Sequence, residues 1–259
     1  MTDLRLIAHA ALQLNTPPYL RHYRRGRQTT WNSVAFRGSE LPGPGFNSAS
    51  CLTPTPPLAE ILPVAREFFA DADKGWGVLV EGDAGHPVEA ELQAAGWKVD
   101  EDEPAFVMPD ITDGLQPDTP PPTGLVIRPV RTETDRAAFE RVCTAAFNAP
   151  PDLGAIIMPS LAYATDPQMC WLIAEWDGEP VGGGGHCIVG PTAVVSCLAT
   201  LESHRGRGIG AAVTRAVLAD GAAKGCTNAA LRSGPKSVPL YERLGFRYVC
   251  QHRTYAAPA

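Results

Sequence analysis

Apolar positions along the chain alternate between the two-residue period of a strand and the longer period of a helix, and the switches mark its elements. Val126 to Val130 reads as a strand. Asp135 to Phe147 reads as a helix with Phe139, Val142, Cys143 and Ala146 on one stripe. Asn148 to Pro167 is rich in Pro, Gly and Ala and carries no period. Three strands follow, Cys170 to Trp176, Val181 to Val189 and Thr192 to Thr200. Asp177-Gly178, a pair suited to a tight hairpin, joins the first two. Gly182 to Gly185 lie inside the second of these strands. They predict a close approach of ligand or backbone, or else a bulge or tight packing. After Thr200 the pattern breaks over a glycine-rich turn. It resumes as a helix carrying Ile209, Val213, Ala216, Val217 and Ala223 on one face, with Lys224-Gly225 as its stop signal. Ala229 to Leu231 is a short buried strand. Pro239 suits the first turn of a last helix, and Gly245 its left-handed C′ position.

The earlier part of the chain echoes this order. Ser50-Cys51-Leu52 and Ser196-Cys197-Leu198 both end apolar runs, 146 residues apart. A helix-like stretch from Leu58 to Asp73 closes on Lys74-Gly75, 150 residues before Lys224-Gly225. A strand, Trp76 to Val80, comes next, and the segment Leu92 to Trp97 places Gly96 149 residues before Gly245. Near-constant spacing predicts a tandem repeat. Thr112 to Thr123 is rich in Pro, Asp and Thr and reads as a linker. The expected organisation is therefore an N-terminal domain over 1–111, a linker over 112–123 and a second domain over 124–259. Residues 1–45 match no pattern. Opposite Arg205 to Gly210 the first copy has Thr53-Pro54-Thr55-Pro56-Pro57, where prolines remove backbone N–H donors.

Composition narrows the partners. A net charge of −6 and a pI near 5.5 argue against nucleic acid. The basic cluster Arg21, Arg24, Arg25 and Arg27, with His22 and Tyr23 between, reads as a solvated face. A contact between domains and a grip on a cofactor phosphate are its other readings. Seven cysteines, an odd number with no C-x-x-C, point to free buried thiols and to no disulfide framework or metal site. The residues from Met1 to Asn15 are too broken for a signal peptide and no run is long enough for a membrane span, so a cytoplasmic protein without membrane or nucleic-acid partners is expected. A homodimer stays open.

The chemistry concentrates at Arg205-Gly206-Arg207-Gly208-Ile209-Gly210. A strand, a glycine-rich turn and a helix N-terminus in that order make an anion cradle, because turn N–H groups converge and the helix dipole adds positive potential. No Lys-Ser/Thr follows, which excludes a Walker loop, and the spacing differs from G-x-G-x-x-G. The R-x-x-G-x-G spacing at Arg205, Gly208 and Gly210, followed by Pro239-Leu240-Tyr241-Glu242-Arg243-Leu244-Gly245-Phe246, resembles the GNAT N-acetyltransferase superfamily. The whole arrangement is similar to bacterial tandem GNAT proteins, with the first copy degenerate.

The resemblance implies an α/β (α+β) fold, a mixed and mostly antiparallel sheet flanked by helices, in two tandem copies. It implies acetyl-CoA as cofactor, its pyrophosphate on the loop from Arg205 to Gly210 and its pantetheine arm along Leu198, Ala199 and Thr200. It implies direct acetyl transfer to a primary amine of a small molecule, with Tyr241 as general acid. A phenol is protonated at neutral pH and can donate. Glu202 is a weaker candidate for the base, with Glu175 and His186 behind it, and His204 reaches solvent or phosphate. Phe147 to Tyr163 is the expected substrate wall. A non-catalytic acyl-CoA-binding or sensory module and a protein N-acetyltransferase are the alternatives.

Overall fold

A computed structural model describes residues 3–14, 17–51, 55–72, 75–81, 85–116, 120–150 and 156–258. Eleven strands form one continuous sheet: β1 Arg27–Trp31, β2 Val34–Gly38, β3 Ser48–Cys51, β4 Gly77–Glu81, β5 Lys98–Met108, β6 Leu125–Pro129, β7 Met169–Trp176, β8 Glu179–Val189, β9 Thr192–Thr200, β10 Asn228–Arg232 and β11 Arg247–Ala256. The helices are α1 Leu4–His9, α2 Leu58–Phe68, α3 Pro87–Ala94, α4 Glu133–Phe147, α5 Leu161–Ala164, α6 Ile209–Ala223 and α7 Val238–Arg243. The expected strands and helices of the second copy are all present, with ends shifted by a residue or two. The capping box of α4, Thr132 with Asp135, lies at its start.

The strand order is β1-β2-β3-β4-β11-β5-β10-β9-β8-β7-β6. With β1 to β5 matched to β7 to β11, the order of these ten strands reads the same from either end, and β6 adds one strand at the edge beyond β7. β3 and β4 are parallel, and so are β9 and β10, while the remaining pairs are antiparallel. The closing strands are exchanged. β5 lies between β11 and β10, and β11 lies between β4 and β5. Lys98 pairs with Ala256 and Val107 with Arg247. Lys98 and Arg247 stand 149 residues apart, as do Val107 and Ala256. The register across β5 and β11 therefore obeys the spacing of the repeat. The two stretches share one sheet, because each contributes its last strand to the other.

Helices cover both faces of the second half. α6 and α7 pack on one face over Leu172, Ala174, Val195, Leu231 and, from β5, Phe106 and Met108. α4 and α5 pack on the other over Trp171, Ile173, Cys187 and Ala199. α1 lies over the centre of the sheet against Ala105, Val107, Ala230 and Cys250. The buried face of α6 is Ile209, Val213, Thr214, Val217, Leu218 and Gly221, whereas Ala223, expected on that stripe, is exposed. The expected linker starts within a 3-10 turn, Ile111–Gly114, where Ile111 is buried and Gly114 abuts Met108 and Leu218. Residues 117–119 lie outside the described residues. So do Leu52, Thr53, Pro54, Asp73 and Lys74 of the first copy. Its helix α2 ends at Phe68, and its last helix, α3, starts earlier than expected, at Pro87.

The basic cluster is a contact between the two halves. The Arg21 guanidinium donates to both carboxylate oxygens of Asp166, and His22 Nε2 lies 2.7 Å from Oδ2 of the same group. Tyr23 Oη donates to the Ile156 carbonyl. The Arg24 and Arg25 N–H groups donate to Glu40, and Arg27 pairs with Asp71.

Candidate active site

β9 and β10 stay paired only from Thr192/Asn228 to Val194/Ala230. β9 then runs six residues further beside β8 alone, while β10, paired with β5 on its other edge from Ala229, continues with β5 to Arg232. The two parallel strands part, and the backbone groups of β9 that face away from β8 are left at the opening. A bulge deepens the parting. Gly183 pairs with Ala199 and Gly185 with Ser196, so Cys197 and Leu198 together oppose Gly184. Cys197 adopts φ 54, a left-handed value that a side chain rarely takes.

The four glycines serve this bulge by packing. A Cβ on Gly184 would stand 2.3 Å from Leu198 Cδ2, and one on Gly185 would stand 2.2 Å from the Cys170 carbonyl oxygen and 2.4 Å from the Trp171 ring. Gly183 gives room to Phe139, and Gly182 to Ile209. Gly185→Ala is expected to destabilise the fold by about 1–3 kcal/mol, at the upper end because a backbone carbonyl cannot rotate away. Urea unfolding of the purified variant measures it.

Beyond Thr200 the chain makes a 3-10 turn, Glu202–His204, and enters the loop. Arg205 anchors that loop: its Nε donates to the Thr200 carbonyl at 3.2 Å and its Nη2 to the Ala146 carbonyl, at the end of α4, at 2.8 Å. Gly206 and Gly208 take φ 75 and 85, which explains glycine at both. Arg205 to Gly208 are exposed, Ile209 is buried beneath them, and Gly210 is half-buried. The first N–H groups of α6 have no intrahelical partner by geometry. Gly208 caps the helix without a side-chain hydrogen bond, and its first turn holds no acidic residue. The corresponding helix of the first half differs. The Leu58 N–H, at the start of α2, donates to Glu91 Oε2 at 2.8 Å behind Pro56-Pro57, so a carboxylate of the protein already fills that N-terminus.

A groove of about 340 Å³ starts at Gly208 and follows the outer side of α6 past Ala211, Ala212 and Arg215, with Leu115, Pro120 and Pro121 opposite. Arg207 stacks its guanidinium 5.5 Å from the Trp176 ring centre, and His204 leans on the same ring.

Leu198 packs beneath α6, Ala199 is buried on the opposite face, and Thr200 ends the strand. Tyr241 is buried in α7, edge-on to Phe246 and tilted against Phe106. Burial pushes its hydroxyl up to about 12, so it stays protonated through the neutral range. Glu202 is exposed on its turn.

The other two base candidates are committed elsewhere. Both Glu175 oxygens accept from Arg128. His186 is fully buried and bonds Asp220 at 2.8 Å, near the far end of α6. Asp220 is twelve residues along from Gly208, about 18 Å at helical rise.

Sequence reasoning missed the aromatic wall behind the bulge. Tyr163 stacks on Trp171 at 5.5 Å, and Tyr23 lies 6.4 Å from Tyr163 and 6.3 Å from Tyr19. Tyr19 and Cys197 join the same apolar cluster as Tyr163. Tyr163 closes the expected substrate wall, Phe147 is exposed at its start, and residues 151–155 lie outside the described residues. Tyr19 belongs to the stretch of sequence that carries no recognisable pattern, and Tyr23 stood out only as part of the basic cluster, so nothing local signalled an aromatic wall.

No curated protein matches the sequence. Several solved structures share the fold. A GCN5-related N-acetyltransferase from Kribbella flavida superposes with a TM-score of 0.70 at 22% identity, covering 100% of this chain and 96% of that one. A functionally unknown conserved protein from Staphylococcus epidermidis gives 0.64 at 15% identity, covering 92% and 96%. A GCN5-related N-acetyltransferase from Sphaerobacter thermophilus gives 0.57 at 16% identity, covering 86% and 80%. The family model for acetyltransferases (GNAT) matches residues 137–246, which span α4 to the end of the last-helix motif. With the parted strands, the bulge and the glycine loop in that segment, the chain carries a domain of the GNAT acetyltransferase family over residues 137–246.

Proposed function

We propose that the protein transfers the acetyl group of acetyl-CoA directly to a primary amine of a small molecule. The observation that carries this reading is the parting of β9 from β10 after Val194, opening beside the uncapped N-terminus of α6. The residues fit the cofactor. No atom stands within 4 Å of a Cβ built on Gly206, and only Pro122 lies within that distance at Gly208, so the loop is open to a pyrophosphate. Acetyl-CoA, when bound, supplies an acetyl thioester.

The N–H groups of Gly206 to Gly210 hold the pyrophosphate, and Arg205 keeps the loop against the strand end. The free edge of Leu198, Ala199 and Thr200 orients the pantetheine arm and donates to the thioester carbonyl as charge develops there. Tyr241 Oη gives its proton to the departing sulfur. Glu202 is assigned the amine proton, through solvent. We read the first half as a degenerate GNAT copy, since Pro56-Pro57 and Glu91 occupy the place of a phosphate site.

A small acceptor is favoured over a protein one because the N-terminal segment, tied down by Arg21, His22 and Tyr23, covers the face behind the bulge. No helix of the described residues is long and apolar enough to cross a membrane. All seven cysteines are free, which suits the reducing cytoplasm where we place the protein.

Calorimetric titration of acetyl-CoA tests the cofactor site. Wild type is expected to bind, and Gly208→Glu to bind at least about 100-fold more weakly, because the substitution adds a carboxylate at the anion cradle and strains a φ of 85. Wild type that does not bind overturns the reading.

A further inference from the structure

A second cluster of chemistry lies away from the glycine loop, over the centre of the sheet. His9 ends α1, and Cys250 and His252 stand two residues apart on β11, on one face of the strand. All three are buried, and their ligand atoms lie within 4.8 Å of one another. Glu81 of β4 is the direct cross-strand partner of His252 and is itself buried. His9 Nε2 is buried and makes no hydrogen bond among the described residues, and Glu81 Oε2 stands 3.5 Å from it. Two nitrogen or oxygen ligands of a tetrahedral zinc ion are about 3.4 Å apart, given bonds near 2.1 Å. Glu81 Oε1 is held by Arg5 at 2.7 Å, and Oε2 is the oxygen that stands near His9.

We propose that His9, Cys250 and His252, with Glu81 Oε2 beside His9, form a structural zinc(II) site that pins α1 to the sheet where the two halves meet. Two imidazoles and one thiolate suit zinc, and the Glu81 carboxylate beside His9 is available for a fourth position. The thiol proton of Cys250 leaves to solvent on binding.

The other cluster of this kind, Cys170 with His186 and Asp220, is a poor cation site. Its carboxylate oxygen Asp220 Oδ2 already holds the Lys224 ammonium at 2.9 Å. That cluster serves as the control.

Cobalt(II) is the probe. Full-length protein stripped with a chelator is titrated with cobalt(II) and followed by absorption, with zinc(II) added to compete. Wild type is expected to bind one ion with visible tetrahedral bands and a near-ultraviolet thiolate charge-transfer band, both displaced by zinc. Cys250→Ser is expected to lose the charge-transfer band, and Cys170→Ser to keep it. His9→Gln is expected to weaken binding at least about tenfold. Should Cys250→Ser fail to fold, His9→Gln decides: zinc should raise the melting temperature of wild type and not of this variant. A wild type without a charge-transfer band, a band that survives Cys250→Ser, or an equal zinc-induced shift in His9→Gln overturns the site.

Discussion

A fragment of residues 112–259, expressed without the preceding chain, is expected not to fold. It contains the whole family match at 137–246, yet lacks the strand at its centre. β5 pairs with β10 from Ala105 to Met108 and with β11 from Lys98 to Val107. Without it, two strands face each other across an empty position and their ladder groups lose partners. Phe106 and Met108, both buried, pack into the cluster that holds Tyr241, Leu231 and Phe246. Losing two such side chains removes about 1.5–3 kcal/mol each, and every buried ladder group left unpaired costs about 1–3 kcal/mol more. A domain has only about 5–15 kcal/mol of stability to lose. Far-UV circular dichroism and gel filtration of the fragment read the result. Coexpression with residues 1–111 is expected to restore a folded complex. A monomeric fragment with a cooperative unfolding transition would show that the exchanged strand is dispensable.

Tyr241→Phe is expected to lower kcat by about 10²–10⁴-fold while acetyl-CoA binding and the melting temperature stay near wild type. The ring fills the space between Phe106 and Phe246, and phenylalanine keeps that packing. Only the proton donor is lost. Burial holds the hydroxyl near 12, so an acid role is fully available at neutral pH and disappears only as pH rises through that value. The wild-type profile of kcat should therefore show no loss from this group between pH 6 and 10, a range well below its titration. The substrate for this assay comes from screening amines for thiol release. An unchanged kcat in Tyr241→Phe would remove the general acid, whereas a wild type that binds acetyl-CoA and releases no thiol with any amine would favour a module that binds acyl-CoA without turning it over.

The glycine loop, the helix after it and the last-helix motif were legible in the sequence because their causes are local. A glycine at φ 85, a run with no apolar period and a helical stripe each occupy a few adjacent residues. The repeat was legible from its spacing alone, and its 149-residue interval recurs in the register of β5 against β11. Ala223 was misplaced on the buried stripe because the covered face runs through Val217, Leu218 and Gly221, whereas position 223 follows half-buried Ala216 at the margin of that face, where only packing decides what is covered.

By itself, then, the sequence determined the order of the elements and the glycine turn that opens α6. Tertiary structure alone decided which strands are neighbours. Apolar alternation tells which face of a strand is buried and says nothing about the strand beside it, so the exchange of β5 and β11 could not be read from either stretch. The same reason withdrew Glu175 and His186, whose partners Arg128 and Asp220 are 47 and 34 residues away. It also brought Tyr19 and Tyr23 to the wall beside Cys197, and His9 and Glu81 to Cys250 and His252. Side chains that distant in sequence share no local pattern, and only the packing of one sheet places them together.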